Sequence, residues 1–133
     1  MKKTAVLVTM LVYSLFASIE WHKSYEEALA EAKRTNRPVF VFMQRKEPPC
    51  RWCELMKNTT LKDSEIEKKI EENFIPLMLT REKRNYPKKL YSRYVPTIYV
   101  LSPDGKIVKK IVGYWDKKDF LSDLKDIDRV FKR

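Results

Sequence analysis

Two glycines, two cysteines and a single histidine in 133 residues set the first limits. So little glycine, with seven prolines in no regular period, excludes collagen-like and flexible low-complexity chains. Two cysteines cannot staple a disulfide-rich miniprotein, and alone they cannot fill a four-ligand zinc site. One histidine, His22, leaves little material for a His-based metal or catalytic centre and reads as an exposed or edge residue. What remains is 44% hydrophobic and 35% charged, enough apolar material for one folded domain.

The charge is +10, from 28 basic and 18 acidic residues. Such an excess favours anionic partners or membrane surfaces. The basic residues are nonetheless spread along the chain, as in Lys68-Lys69, Lys83-Arg84, Lys88-Lys89, Lys109-Lys110 and Lys117-Lys118. They read as a solvated face. Nucleic-acid binding would want a basic stripe with stacking aromatics beside it, and no recognisable RNA or DNA motif occurs, so nucleic acid is not expected as a partner.

Lys2-Lys3 precede fourteen uncharged, mostly apolar residues, Thr4 to Ala17. A basic start before an apolar run of this length predicts a secretory leader. As a helix the run would span only about 21 Å, short of the roughly 30 Å hydrocarbon core. Ala17 or Ser18 can end the leader, but bulky Leu15 or Phe16 two positions earlier disfavours cleavage. Residues 1–18 are therefore expected to act as a signal peptide or N-terminal membrane tether, with one domain over 19–133. No cysteine precedes Cys50, which excludes lipidation of a leader cysteine. Without Lys2 and Lys3 the exported chain has 26 basic residues against 18 acidic, a net +8.

Within the domain, Ser24 with Glu27 forms a capping-box pattern ahead of a helix with Ala28, Leu29 and Ala32 on its apolar face, ended by Asn36 and Pro38. The continuous run Val39 to Met43 predicts a strand buried on both faces. Cys50 to Lys57 reads as a helix start, and Asp63 or Ser64 caps a further helix. Phe74 to Thr80 is a second buried strand despite Pro76. Tyr86 to Tyr94 is expected to be helical at its centre, with Tyr91 and Tyr94 as packing residues. Thr97–Leu101 and Lys106–Val112 are strands joined by the turn Ser102-Pro103-Asp104-Gly105. Asp116 caps a last helix with Phe120, Leu121, Leu124 and Ile127 facing inward. The order α-β-α-α-β-α-β-β-α predicts an α/β fold, a mixed central sheet flanked by helices on both faces.

Cys50-x-x-Cys53 is the motif with chemistry. Two intervening residues at a helix start let the sulfurs reach disulfide distance and set the first beside unpaired helical N–H groups, which stabilise a thiolate. Reversible dithiol exchange needs that combination: an attacking Cys50 and a more buried Cys53 to resolve it. Two other readings stay open on these residues alone. One is a static local disulfide; the other is a thiolate pair holding copper, or half of a zinc site shared with a second chain. Covalent haem attachment is excluded in its usual form, because Glu54 stands where CxxCH requires histidine. Arg51 adds positive potential beside Cys50, and Trp52 is placed to form an apolar platform for substrate. Val95-Pro96-Thr97 lies 43 residues beyond Cys53, at a strand entrance.

With Ser24 to Pro38 leading into Val39–Met43, Cys50-Arg51-Trp52-Cys53, Val95-Pro96-Thr97 and the Asp104-Gly105 hairpin before Gly113, the chain from about Trp21 to Ile127 resembles the thioredoxin-like superfamily, in particular its small exported thiol:disulfide interchange proteins. The resemblance implies a thioredoxin-like fold and protein disulfide oxidoreductase activity without a cofactor. It makes Cys50 the attacking thiol, Cys53 the resolving thiol and Pro96 a cis-proline shaping a substrate groove with Arg51, Trp52, Val95 and Thr97. The chain departs from thioredoxin where Arg51-Trp52 replace Gly-Pro, where the loop before Cys50 is longer, and where the buried aspartate credited with proton transfer falls at Phe42. A water, Glu47 or Glu54 is left to manage that proton, or the exchange is slower.

The expected protein is thus a periplasmic or otherwise extracytoplasmic monomer, either released by cleavage of its leader or tethered by it to the inner membrane. It would exchange disulfides with cysteine-containing exported proteins, leaning towards reductase or isomerase work, and draw on a membrane electron donor or acceptor protein. The alternative from another class is a thiolate metal-binding protein of the same fold, for copper or a shared zinc.

Overall fold

The computed structural model describes residues 19–131; the expected leader, residues 1–18, lies outside them. Helix α1, Tyr25–Thr35, begins where Ser24 Oγ accepts the Glu27 N–H at 3.3 Å. The return half of the capping box takes a different form, with Ser24 Oγ donating to the Glu26 carboxylate. Acidic Glu26 and Glu27 lie at the start of α1, and Lys33 and Arg34 at its end, complementing the helix dipole. Asn36 stops the helix in the left-handed conformation at φ 52°. Pro38 then releases the chain into β1, Val39–Gln44, buried along its whole length.

Strand β1 is central. It pairs parallel with β2, Ile75–Thr80, and antiparallel with β3, Thr97–Leu101, which pairs antiparallel with β4, Ile107–Val112. The sheet order is β2-β1-β3-β4. The outer side of β2 is met by His22, whose N–H donates to Pro76 O and whose carbonyl accepts from Met78 N, each at 2.9 Å. A residue's N–H and C=O point to the same side of a strand, so the missing amide of Pro76 falls on this outer side and not in the β1 ladder. His22 is therefore an edge residue, as expected.

Alternation along the strands divides the core in two. Phe40, Phe42, Ile98, Val100 and Ile111 face helices α2 (Arg51–Asn58), α3 (Ser64–Asn73) and α4 (Lys117–Phe131) through Met56, Ile66, Ile70, Phe120, Leu124 and Ile127. Val41, Met43, Leu77, Leu79 and Tyr99 face α1 through Ala28 and Ala32, which let the helix lie close to the sheet. Gly105, at φ +88°, turns the β3–β4 hairpin against α1; a Cβ there would meet the Tyr25 hydroxyl at 3.1 Å. The α/β fold with helices on both faces is as predicted.

One element differs from expectation. Residues 86–94 hold no α-helix, only a 3-10 turn at Lys88–Leu90, preceded by another at Arg81–Lys83. Pro87 starts the later turn from an extended conformation, and Leu90 is its one buried side chain, too little apolar surface to carry a helix.

Asp63 caps α3 by accepting the Glu65 and Ile66 N–H groups, and it pairs with Lys117 of α4 at 3.0 Å. Burial pushes its carboxyl up, but Lys117 and the two amides outweigh this and hold it below the ordinary aspartate range. A depressed folded-state value stabilises the fold above the unfolded value of about 3.9, and that contribution fades as pH falls through the folded value. Asp63→Ala is expected to cost about 1 kcal/mol at neutral pH. Urea unfolding should show the gap to wild type narrowing as pH falls below the unfolded value of about 3.9. An undiminished gap in acid would contradict this.

Candidate functional site

The chain leaves the buried end of β1 through a loop that is held before it reaches the cysteines. The Arg45 guanidinium donates to the carbonyls of Pro48 and Pro49 at 2.7 and 3.1 Å. The Glu82 carboxylate accepts the backbone N–H groups of Lys46 and Glu47, the shortest contacts being 3.0 and 2.7 Å. Its own backbone N–H, and then those of Glu47 and Lys46, hold Glu82 below the ordinary carboxylate range. The Glu47–Pro48 peptide is cis, which the sequence did not announce.

Cys50 follows as the N-cap of α2, in extended conformation. It forms a disulfide with Cys53, with the two Cα atoms 5.2 Å apart. The Cys53 N–H donates to Cys50 Sγ at 3.1 Å, so the first turn of α2 directs a backbone donor at that sulfur. Cys53 is wholly buried, while Cys50 keeps 4% of its surface exposed. On its other side Cys50 Sγ lies 3.9 Å from the Val95 carbonyl oxygen, and the Val95–Pro96 peptide is cis. Residues distant in sequence, 50–53 and 95–96, thus meet at one sulfur.

Around it stand the residues predicted for a groove. Trp52 is 51% exposed, its ring 5.8 Å from that of Tyr114, with the Arg51 guanidinium 5.8 Å from the indole. Val95 is half-buried and Pro96 buried. Thr97 corrects the expectation: it is fully buried, donates to the Tyr94 carbonyl at 2.5 Å and meets Ser92 Oγ at 2.9 Å. Its hydroxyl holds the 92–94 backbone in place and does not line a surface. Tyr91 and Tyr94 depart from their predicted packing role, being 45% and 64% exposed. Sequence reasoning missed them because aromatics beside a buried strand look like core; their interruption by Ser92 and Arg93 was the available signal.

Phe42 fills its position beneath α2 as a fully buried apolar side chain. Of the candidates for the proton, Glu54 pairs with Lys57 at 2.8 Å. Lys57 also donates to the Gln44 side-chain oxygen at 2.7 Å, and Gln44 in turn donates to Thr80 Oγ1. The polar groups flanking α2 thus join Glu54, Lys57 and buried Gln44 at the end of β1 in one chain of contacts. Among the described residues no group of three or more His, Cys, Asp and Glu side chains is arranged to hold a metal ion. A zinc site on the two thiolates would need ligands from another chain.

A family model for the thioredoxin-like domain matches residues 25–128. Mouse spermatogenesis-associated protein 20 is 31% identical over 85 residues, covering 64% of this chain and 10% of that protein. Mouse anterior gradient protein 3 is 27% identical over 109 residues, covering 82% of this chain and 65% of the relative. The chain thus spans about a tenth of the first relative's length and just under two thirds of the second's. Among solved structures, a thioredoxin from Thermus thermophilus superposes with a TM-score of 0.70 at 24% identity, over 83% of this chain and 87% of that one. Among the described residues no helix is long and apolar enough to cross a membrane.

Proposed function

The chain belongs to the thioredoxin-like domain family, and from that premise we propose that it is an exported thiol–disulfide oxidoreductase that exchanges its Cys50–Cys53 disulfide with cysteines of partner proteins. One observation carries the reading: the Cys53 N–H points at the sulfur of Cys50, the cysteine with residual exposure, while Cys53 is sealed beneath it. A backbone donor at a helix start stabilises a thiolate at Cys50 and leaves Cys53 protected until it is needed.

In the reducing direction the Cys50 thiolate attacks one sulfur of a target disulfide. A mixed disulfide forms, and the target's other sulfur leaves as a thiolate. The Cys53 thiolate then attacks Cys50 Sγ, closing the Cys50–Cys53 disulfide and expelling the second target sulfur. The target gains two electrons and the protein loses two; a dithiol donor protein returns them by the same steps in reverse. Cys53 must lose its proton for the second attack, and Glu54, the residue after it, is the nearest carboxylate in sequence. Extracytoplasmic location rests on the leader pattern of residues 1–18, and the reductase or isomerase lean on the small size of the domain.

The test is catalysed reduction of a protein disulfide such as that of insulin, with dithiothreitol as donor. Turnover well above the rate with dithiothreitol alone is expected. A rate equal to that background, in folded protein, removes the reading and favours a static disulfide or metal binding.

A further inference from the structure

The connection from β2 to β3, residues 81–94, carries six basic side chains, Arg81, Lys83, Arg84, Lys88, Lys89 and Arg93, and one acid, Glu82. None of the six forms an ion pair among the described residues. Glu82 stays ionised on the backbone N–H groups of Lys46 and Glu47 and offsets one of these charges, which leaves the loop a net positive surface. Five of the six basic residues are exposed. The cluster is already present in the sequence, where the basic residues of 81–94 stand closer together than the overall scatter of lysine and arginine suggests.

This loop is fastened to the redox centre at both ends. Glu82 binds the backbone three and four residues before Cys50, and Val95 O, just past the loop, touches Cys50 Sγ. Arg81 draws the two ends together by donating to Arg93 O at 2.9 Å. Between them the exposed rings of Tyr91 and Tyr94 lie beneath the guanidiniums of Arg84 and Arg93, at 5.4 and 6.0 Å. An open pocket of about 460 Å³ is lined by Arg84, Tyr86, Lys88 and Tyr91.

We propose that residues 81–94 form a docking surface for acidic polypeptide, so that the substrates are proteins with Asp and Glu close to the reacting cysteine. The inference rests on the oxidoreductase reading and names the substrate class for it. Exposed cations without an ion-pair partner, on a loop whose two ends meet the redox centre while Lys89 reaches Gly105 O at the far turn, attract carboxylates and raise the encounter rate, an effect that salt suppresses. Exposed Tyr and Arg side by side supply the contact area typical of protein interfaces. A polypeptide fits better than a lipid surface or a nucleic acid because the loop is continuous with a centre whose chemistry acts on cysteine.

The experiment uses the reduced full chain and two disulfide-linked peptides of equal length, one with Asp and Glu flanking the cysteines and the other with Lys. Second-order rates of peptide reduction are measured at low and high salt. The acidic peptide is expected to react about tenfold faster at low salt, with the advantage lost at high salt. Arg84→Glu/Lys88→Glu should abolish or invert the preference, and Lys68→Glu/Lys125→Glu, an equal charge change on α3 and α4, should keep most of it. If the first double variant does not fold, Arg84→Gln/Lys88→Gln should still lose most of the preference.

Equal rates for the two peptides in wild type would overturn the docking surface and leave the oxidoreductase reading standing. So would an equal loss in both double variants, which would assign the effect to net charge. Loop variants that release phosphatidylglycerol vesicles while keeping the peptide preference would also overturn it, giving the loop to a membrane surface. Reduction of neither peptide would overturn both readings together.

Discussion

Cys50→Ser is expected to abolish catalysed disulfide reduction, a fall on the order of 10³-fold or more to the uncatalysed rate. A serine hydroxyl in place of Cys50 cannot form the mixed disulfide, and the Cys53 N–H then points at an atom with no redox chemistry. Cys53→Ser should behave differently. Its Cys50 remains able to attack, but nothing resolves the adduct, so a covalent complex with the target should accumulate and be released by added thiol. The asymmetry follows from position: Cys53 is wholly buried, whereas Cys50 keeps an exposed edge. Full turnover by Cys50→Ser, or adducts accumulating on Cys53 in that variant, would reverse the assigned roles.

Phe40→Ala should cost about 3–5 kcal/mol of stability. The Phe40 ring is fully buried in the middle of the sheet and meets three other rings, Trp21 at 6.0 Å and Phe74 and Phe120 at 5.8 Å each. Those three come from the N-terminal segment, the C-cap of α3 and helix α4, so one cavity loosens contacts among distant parts of the chain. With total stabilities of about 5–15 kcal/mol for such domains, the loss is a large fraction of the whole. At roughly 4 °C per kcal/mol it should lower Tm by about 12–20 °C. A loss under about 1 kcal/mol would mean that the face of the sheet covered by α2, α3 and α4 is not held as described.

Much of this arrangement is readable from residues alone. The unbroken apolar run Val39–Met43 identifies a strand covered on both faces, and the connections on either side predict the parallel β1–β2 pair and the antiparallel β3–β4 hairpin. Cys50 at a helix start is legible because capping and the CxxC spacing point to the same place. Pro96 is legible only through family resemblance, since proline before a strand is common; the structure shows it cis, beside Cys50.

The rim was not legible, for physical reasons. Glu82 holding the backbone of Lys46 and Glu47 is a contact across 35 or 36 residues, and no local periodicity encodes it. That contact ties the start of a loop whose basic residues are already neighbours in sequence to the chain leading into Cys50. Tyr91 and Tyr94 carry apolar bodies that suit a core equally well, and only the position of the loop exposes them. The helix expected within residues 86–94 failed because Leu90 is the only apolar side chain of that stretch fully buried in the core, with Tyr86 packed part-way against the same cluster.

The central claim is that Cys50 and Cys53 form a pair that opens and closes. Equilibrating the protein in graded thiol buffers, with free thiols trapped, tests it directly. A reversible two-electron transition is expected between about −270 mV, the range of a reductant needing a donor, and about −120 mV, that of a strong oxidant. A disulfide that stays closed below about −300 mV, or no reversible transition, would contradict the account and make the pair structural or metal-binding.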